Sequence, residues 1–104
     1  MGARRTEVIV SISPEAEREL IDAAIFDAEQ ESAELGLAFI VEFERALEVL
    51  RENPNLGAPW RDMTRRFPLR RIPYSVLFVV KGTELRVMAL AHQRRRPGSW
   101  SARK

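Results

Sequence analysis

The sequence predicts an α+β fold: an N-terminal strand, then an antiparallel two-helix hairpin packed on an antiparallel β-sheet, in the order βααβββ. Runs rich in β-branched residues lie near both ends of the chain, and two stretches with helical periodicity lie between them. A length of 104 residues is enough for one hydrophobic core. We therefore expect residues 1–104 to form a single domain.

The first predicted strand spans residues 6–12, TEVIVSI, where β-branched residues recur. The Ser13-Pro14 pair that follows is typical of a helix N-cap with a proline in the first turn. Glu15 places negative charge at the positive end of the helix dipole. The first helix is therefore expected to begin here and to run to about Ser32.

A second helix is predicted from a new apolar stripe with helical spacing. The stripe consists of Phe39, Phe43, Ala46, Leu47 and Leu50. Gly36 interrupts the pattern before the stripe, and Asn53-Pro54 ends it. Because the link between the two helices is short, we expect an antiparallel hairpin whose apolar side a sheet must cover.

The second half of the chain supplies the remaining strands. Residues 65–72 predict a weak strand at a sheet edge or next to a bulge, because Pro68 has no N–H to donate. The apolar run 74–80 and the alternating run 84–92 predict a β-hairpin, in which a glycine in the connecting turn can adopt positive φ. The preceding loop, NPNLGAPW, contains Trp60, which could close the core or lie on a binding surface.

The composition limits the chemistry that the chain can perform. It has no cysteine and a single histidine, so a thiolate metal site is excluded and a zinc site is not expected. We predict neither a metal nor a cofactor. The N-terminus lacks the continuous apolar stretch of a signal peptide or a membrane span. The expected location is therefore the cytoplasm, without membrane association.

Charge is divided unevenly along the chain. Residues 1–52 contain 13 Asp and Glu against 5 Arg, whereas residues 53–104 contain 2 Asp and Glu against 12 Lys and Arg. One interpretation is a basic face that attracts a polyanion or an acidic partner. The other is that the two halves neutralise each other within the fold.

Three segments together carry a family resemblance. NPNLG follows the second helix, RRIPYSVLFVV contains the middle strand, and ALAHQRRRPGSW lies near the end of the chain. This ordered set resembles the RelE/ParE superfamily of toxins from bacterial type II toxin–antitoxin modules, over nearly the whole chain. The resemblance implies the same small fold and a cognate antitoxin that wraps the toxin, so we expect a hetero-oligomer.

The resemblance also implies one of two activities. RelE-like members cut mRNA on the ribosome, whereas ParE-like members inhibit DNA gyrase. RNA cleavage needs a base, an acid and a cation near the reacting phosphate. His92, the only histidine, and Tyr74, the only tyrosine, are the candidate proton-transfer groups, and Arg71 is a candidate phosphate ligand.

The end of the chain favours the ParE-like activity. RelE-like nucleases typically carry a reactive Tyr or His close to the C-terminus, where this chain has Trp100, which is unsuited to proton transfer. Pro97 and Trp100 resemble instead the ParE-like branch and related plasmid-stabilisation proteins. We therefore predict a non-catalytic toxin that inhibits gyrase. The alternatives are a metal-independent, ribosome-dependent mRNA endonuclease and an inactive toxin-like binding module.

Arginines dominate the predicted binding surface for the antitoxin or the target. A guanidinium group binds a carboxylate through two parallel hydrogen bonds, so an acidic antitoxin segment would fit such a surface. For the run 94–96, a solvated tail is the alternative. The predicted set comprises Arg71, Arg86, Arg94, Arg95, Arg96 and Trp100.

His92 is expected to be a structural residue at the end of the last strand. Strict alternation along that strand groups it with Arg86, Met88 and Leu90. The sequence therefore predicts that His92 lies on the face of the sheet directed away from the helices.

Overall fold

A computed structural model describes residues 8–92, in which two helices cover one face of a five-stranded sheet. The elements are β1 (Ile9–Ile12), α1 (Pro14–Gln30), α2 (Ala33–Glu52), a 3-10 turn (Pro54–Leu56), β2 (Ala58–Arg61), β3 (Thr64–Pro68), β4 (Tyr74–Lys81) and β5 (Glu84–His92). The strands are arranged in the order β1-β5-β4-β3-β2. The predicted α+β class is confirmed.

The sheet differs from the prediction in three respects. The strand predicted for residues 65–72 is β3, which ends at Pro68 and lies between β4 and β2, so the edge position is wrong and the position next to a bulge is confirmed. The sheet is mixed, because β1 pairs with β5 in parallel, with Ile9 beside Glu84 and Ile12 beside Val87. It also has a fifth strand, because part of the predicted loop forms β2 and pairs with β3. β2 is short, contains Pro59 and lies at the sheet edge, where a missing N–H costs no ladder bond.

The helix hairpin begins and turns through serine caps. The predicted cap is confirmed, since Ser13 Oγ accepts a hydrogen bond of 3.0 Å from the Ala16 N–H. Ser32 caps α2 in the same way. The predicted break at Gly36 is wrong, because Gly36 lies inside α2. A Cβ there would lie 2.7 Å from the carbonyl oxygen of Ala24, so the glycine allows the helices to approach closely.

The core lies between the helix hairpin and the sheet. Its largest fully buried side chains include Phe39 and Phe43 of α2 and Phe78 of β4. These residues explain why both elements are strongly apolar, since each buries one face in the same layer. Neither helix within residues 8–92 combines the length and apolar character needed to cross a bilayer.

A β-bulge in β5 reverses the alternation of its side chains. Leu77 pairs with Ala89 and the next residue, Phe78, pairs with Val87, so Met88 has no partner on β4. After the extra residue, even-numbered side chains face the helices, as the burial of Leu90 in the core demonstrates. The predicted face of His92 is therefore wrong. His92 pairs with Tyr74 and lies on the helix-covered face.

Candidate partner-binding site

The face of the sheet opposite the helices, called the outer face below, combines an apolar centre with basic side chains. Leu77 and Ala89 are buried but lie outside the helix-packed core, and the same row continues to Arg66 on β3. The neighbouring row pairs Val79 with Arg86. The guanidinium groups of this surface suit a partner segment that offers carboxylates.

Arg86 is held on the outer face by β1. Its Nη1 donates to Ser11 Oγ at 3.1 Å, and Ser11 Oγ donates to the Glu84 carboxylate at 2.6 Å. The structure thus places Arg86 at a surface, as its predicted binding role requires. The hydroxyl relay to Glu84 orients the guanidinium and offsets part of its charge.

The loop 69–73 presents two further arginines at one end of the sheet. Arg71 has a φ of +63°, a left-handed conformation that costs a non-glycine residue roughly 1–2 kcal/mol. Adjacent contacts hold the loop, since the Arg70 N–H donates to Glu42 Oε2 at 2.7 Å and the Leu69 N–H donates to the Tyr74 carbonyl. The side chains of Arg70 and Arg71 remain exposed.

Glu42 of α2 is the anchor of this loop. Its carboxylate also accepts two hydrogen bonds from Arg45, at 2.9 and 2.8 Å. The hydrogen bond from Arg45 is the main cause that holds the pKa of Glu42 below its usual value, partial burial opposes it, and the Arg70 N–H assists. The carboxylate is therefore ionised while it holds the loop, and its negative charge is neutralised within α2.

Tyr74 and His92 form an aromatic cluster with Phe39 on the helix-covered face. The ring centroids of Tyr74 and Phe39 are 5.0 Å apart, and those of Tyr74 and His92 are 4.9 Å apart in an edge-on arrangement. Burial and the charge of Glu31 raise the pKa of Asp27, while His92 acts in the opposite direction. His92 therefore lies within electrostatic reach of Asp27.

The predicted nuclease residues are brought together only in part. Tyr74 and His92 are in contact, and Arg71 lies in the loop that leads into Tyr74. Arg66 and Arg86 lie on the other face of the sheet. In the described part of the chain, no group of three or more His, Cys, Asp or Glu side chains could hold a metal ion. The remaining predicted site residues, Arg94, Arg95, Arg96 and Trp100, lie outside the described residues.

Two neighbouring arginines show what the sequence could not distinguish. Arg66 points to the outer face, whereas Arg65 faces the helices and donates from Nη2 to the carbonyl oxygens of Gly57 and Asn55, at 2.6 and 3.2 Å. Arg65 of β3 thus stabilises the 3-10 turn and the residue that follows it. The sequence analysis missed Arg66, and a two-residue alternation across a weakly apolar strand was the only signal for it.

Trp60 lies in the irregular pairing of β2 with β3. β2 advances by two residues from Pro59 to Arg61 while β3 advances by one, which leaves Trp60 at the bulge. The indole is half-buried, and the Arg61 guanidinium carbon lies 4.6 Å from the ring centroid. Trp60 is thus a sheet-edge residue with a cation–π contact.

The uneven charge of the sequence persists in the fold. Two salt bridges of the described residues, Arg45–Glu42 and Arg51–Glu48, lie inside α2. The two halves also interact electrostatically, since the charge of Arg70 lowers the pKa of Glu42 and His92 lowers the pKa of Asp27. Both interpretations of the uneven charge therefore stay predictions.

Comparisons with known proteins agree with this architecture. The chromosomal ParDE TA system from P. aeruginosa contains a chain that matches at a TM-score of 0.74 and 20% identity, over 84% of this chain and 97% of that chain. The isolated E. coli RelE toxin matches at a TM-score of 0.57 and 12% identity, over 91% and 94%. At these identities the likeness concerns the fold alone.

Sequence comparison goes further than the structural likeness. No curated protein matches the sequence. Residues 10–97 match the family described as the ParE toxin of type II toxin-antitoxin system, parDE. The matched segment extends from β1 past the end of β5 and thus contains both helices, the outer face and the aromatic cluster. The chain belongs to the ParE toxin family of type II toxin–antitoxin systems.

Proposed function

We propose that this protein is a toxin that inhibits bacterial growth in the cytoplasm by binding DNA gyrase, and that a cognate antitoxin neutralises it. The observation that carries the choice of target is the separation of Tyr74 and His92 from Arg66 and Arg86 by the sheet. A nuclease needs proton-transfer groups and a cation at one phosphate. In residues 8–92, Arg66 and Arg86 lie on the face opposite to Tyr74 and His92, whereas Arg71 lies in the exposed loop before Tyr74.

The outer face is the proposed antitoxin site. Arg66 is exposed and Arg86 is half-buried, and both provide guanidinium groups for carboxylates, beside the half-buried Val79. An antitoxin segment with acidic residues would match these arginines. The arginines at 94–96, together with Trp100, extend this prediction along the chain.

The first test is pulse labelling after induction of the protein in a bacterial host that lacks the antitoxin. Thymidine and amino-acid incorporation are followed in the same culture. We expect DNA synthesis to stop first while translation continues, and we expect purified protein to block gyrase supercoiling. Prompt loss of translation with continuing DNA synthesis would contradict the proposed target.

Antitoxin binding is tested separately by the dissociation constant of the purified complex. Replacing Arg66 and Arg86 together with Ala should weaken binding at least about tenfold, because each charge-assisted hydrogen bond contributes roughly 1.5–3 kcal/mol. The triple change of Arg94, Arg95 and Arg96 to Ala tests the predicted tail contact. Arg18→Ala, at an exposed position of α1, is the matched control and should bind normally.

A ribosome-dependent mRNA endonuclease is the second candidate function. The contact between Tyr74 and His92 favours it, because it joins the two predicted proton-transfer groups. This candidate predicts cleavage of mRNA within purified translating ribosomes and loss of that cleavage in the His92→Gln variant. Intact mRNA at toxin concentrations that block supercoiling would eliminate it.

A further inference from the structure

The backbone of β5 exchanges hydrogen bonds with the N-terminal part of the chain in two different phases. Before the bulge, the backbone N–H and C=O groups of odd-numbered residues point to β1, since the carbonyl oxygens of Thr83 and Val87 accept from the N–H groups of Ile9 and Ser13, at 2.6 and 2.9 Å. After the bulge, the backbone groups of even-numbered residues point in this direction. The bulge at Met88 is the place where the phase changes.

Both contacts that follow the bulge come from α1 or its cap. Ser13 Oγ donates to the Met88 carbonyl at 3.1 Å, and Glu19 Oε1 accepts from the Leu90 N–H at 2.9 Å. β1 ends at Ile12, and beyond this point the side chains of Ser13 and Glu19 are the described groups that bind the edge of β5. In an unbulged strand the N–H of Ala89, and not that of Leu90, would point to Glu19.

The sequence of β5 is compatible with either phase. With the bulge, Leu90 and His92 face the helices, and Ala89 and Ala91 lie on the outer face. Without it, the alanines would face the helices, and Leu90 and His92 would join Arg86 on the outer face. Burial of Leu90 favours the bulged phase, but the small alanines leave the other phase sterically open. A contact specific to one phase is therefore needed to fix the position of His92.

We propose that Glu19 is a positioning residue that selects the bulged phase of β5 and thereby holds His92 on the helix-covered face, against Tyr74. The hydrogen bond from the Leu90 N–H forms only in this phase, and the Ser13–Met88 contact supports it. Glu19 thus keeps the single histidine away from the arginines of the outer face. The proposal concerns the position of a side chain and does not depend on the proposed function.

Nuclear magnetic resonance can test the proposal directly, because the chain contains one His and one Tyr and their ring signals are unambiguous. In the unaltered protein we expect a nuclear Overhauser effect between the His92 and Tyr74 rings. In Glu19→Ala we expect this effect to disappear and the Leu90 amide to exchange about tenfold faster. Glu19→Gln retains an acceptor oxygen and should restore both signals.

Two further variants separate positioning from general destabilisation. Glu17→Ala removes an exposed carboxylate from the same helix and should leave the ring contact and Leu90 exchange unchanged. Deletion of Met88 removes the extra residue, so an unbulged strand then carries Leu90 and His92 to the helix-covered face without help. In the protein without Met88, Glu19→Ala should leave the ring contact intact. If Glu19→Ala alone unfolds the chain, the deletion of Met88 should restore folding.

Two results would overturn the proposal. The first is a folded Glu19→Ala protein with an intact His92–Tyr74 contact and normal Leu90 exchange. The second is an equal loss of the ring contact, or of folding, in Glu19→Ala with and without Met88. The second result would mean that Glu19 stabilises the helix and not the phase of the strand.

Discussion

The two faces of the sheet present different chemistry although they are built from the same strands. The helix-covered face carries Phe78 in the core and, at its end, Tyr74 and His92. The outer face carries Arg66 and Arg86 beside a narrow apolar strip. This division separates the packed aromatic side chains, including the candidate proton-transfer pair, from the two arginines that we propose to bind a partner.

The largest expected contrast between the faces is in stability. Phe78 is fully buried, so Phe78→Ala should lower the free energy of unfolding by about 3–5 kcal/mol. Arg66→Ala, on the outer face, should change it by no more than about 0.5 kcal/mol. Urea denaturation of both variants measures this contrast. A loss above 2 kcal/mol for Arg66→Ala would mean that the outer face also stabilises the fold.

The loop 69–73, at one end of the sheet, depends on the Glu42 carboxylate. We expect the loss of this carboxylate to lower stability less than Phe78→Ala does. A lowered pKa means that ionised Glu42 stabilises the fold. This contribution is present above the usual Glu range and is lost as the pH falls through the lowered pKa. Glu42→Gln should lower stability by about 1–2 kcal/mol at neutral pH and flatten this acid-side loss. Denaturation curves collected across the acid range test both expectations.

Asp27 provides the control of opposite sign. Burial raises its pKa, so its contribution favours folding at low pH and is lost as the pH rises through the raised pKa. Asp27→Asn should therefore stabilise the protein at neutral pH, by no more than about 0.5 kcal/mol. If Glu42→Gln and Asp27→Asn changed the slope of the free energy of unfolding against pH in the same direction, the assigned electrostatic environments would be wrong.

An effect similar in size to that of Glu42→Gln is expected where the two helices contact each other at Gly36. Gly36→Ala gains helix propensity of about 1 kcal/mol but places a Cβ against Ala24 and Ala28. We expect a net loss of about 1–2 kcal/mol in thermal or urea unfolding. Ala38→Gly, at an exposed position of α2, is the control for propensity alone and should lose about 1 kcal/mol. A more stable Gly36→Ala protein would show that the helices are not tightly apposed.

The smallest expected effect sharpens the functional side of the comparison. His92 faces the helices, so His92→Gln should leave growth inhibition in the induced host largely intact. A melting curve of the purified variant confirms that the fold is retained. Abolished toxicity in a protein with a normal melting curve would require a catalytic or target-contacting role for His92.

Local signals in the sequence predicted most of the elements, because each depends on neighbouring residues. The Ser13 cap, the stop at Asn53-Pro54 and the tight turn at Gly82, with its φ of +57°, are of this kind. Each reflects a requirement that a single residue type satisfies. The positions of these elements follow from the sequence alone.

Features that depend on distant residues could not be predicted in this way. The parallel pairing of β1 with β5 leaves no mark on the alternation within either strand. The bulge at Met88 also cannot be detected in the sequence, since β5 places aliphatic residues toward the core with or without it. The candidate site was therefore predicted in composition but not in arrangement. Arg86 lies on the outer face, whereas His92 lies on the opposite side of the sheet from the one predicted.

The pairing of β1 with β5 also has a consequence for folding during synthesis of the protein. Ser11 and Glu84, joined by a hydrogen bond, are 73 residues apart in the chain. A growing polypeptide can form the helix hairpin early, but its first strand has no partner until synthesis has passed β5. Contacts of such long sequence separation fold late and slowly. On the ribosome, β1 thus joins the sheet only after β5 has been synthesised.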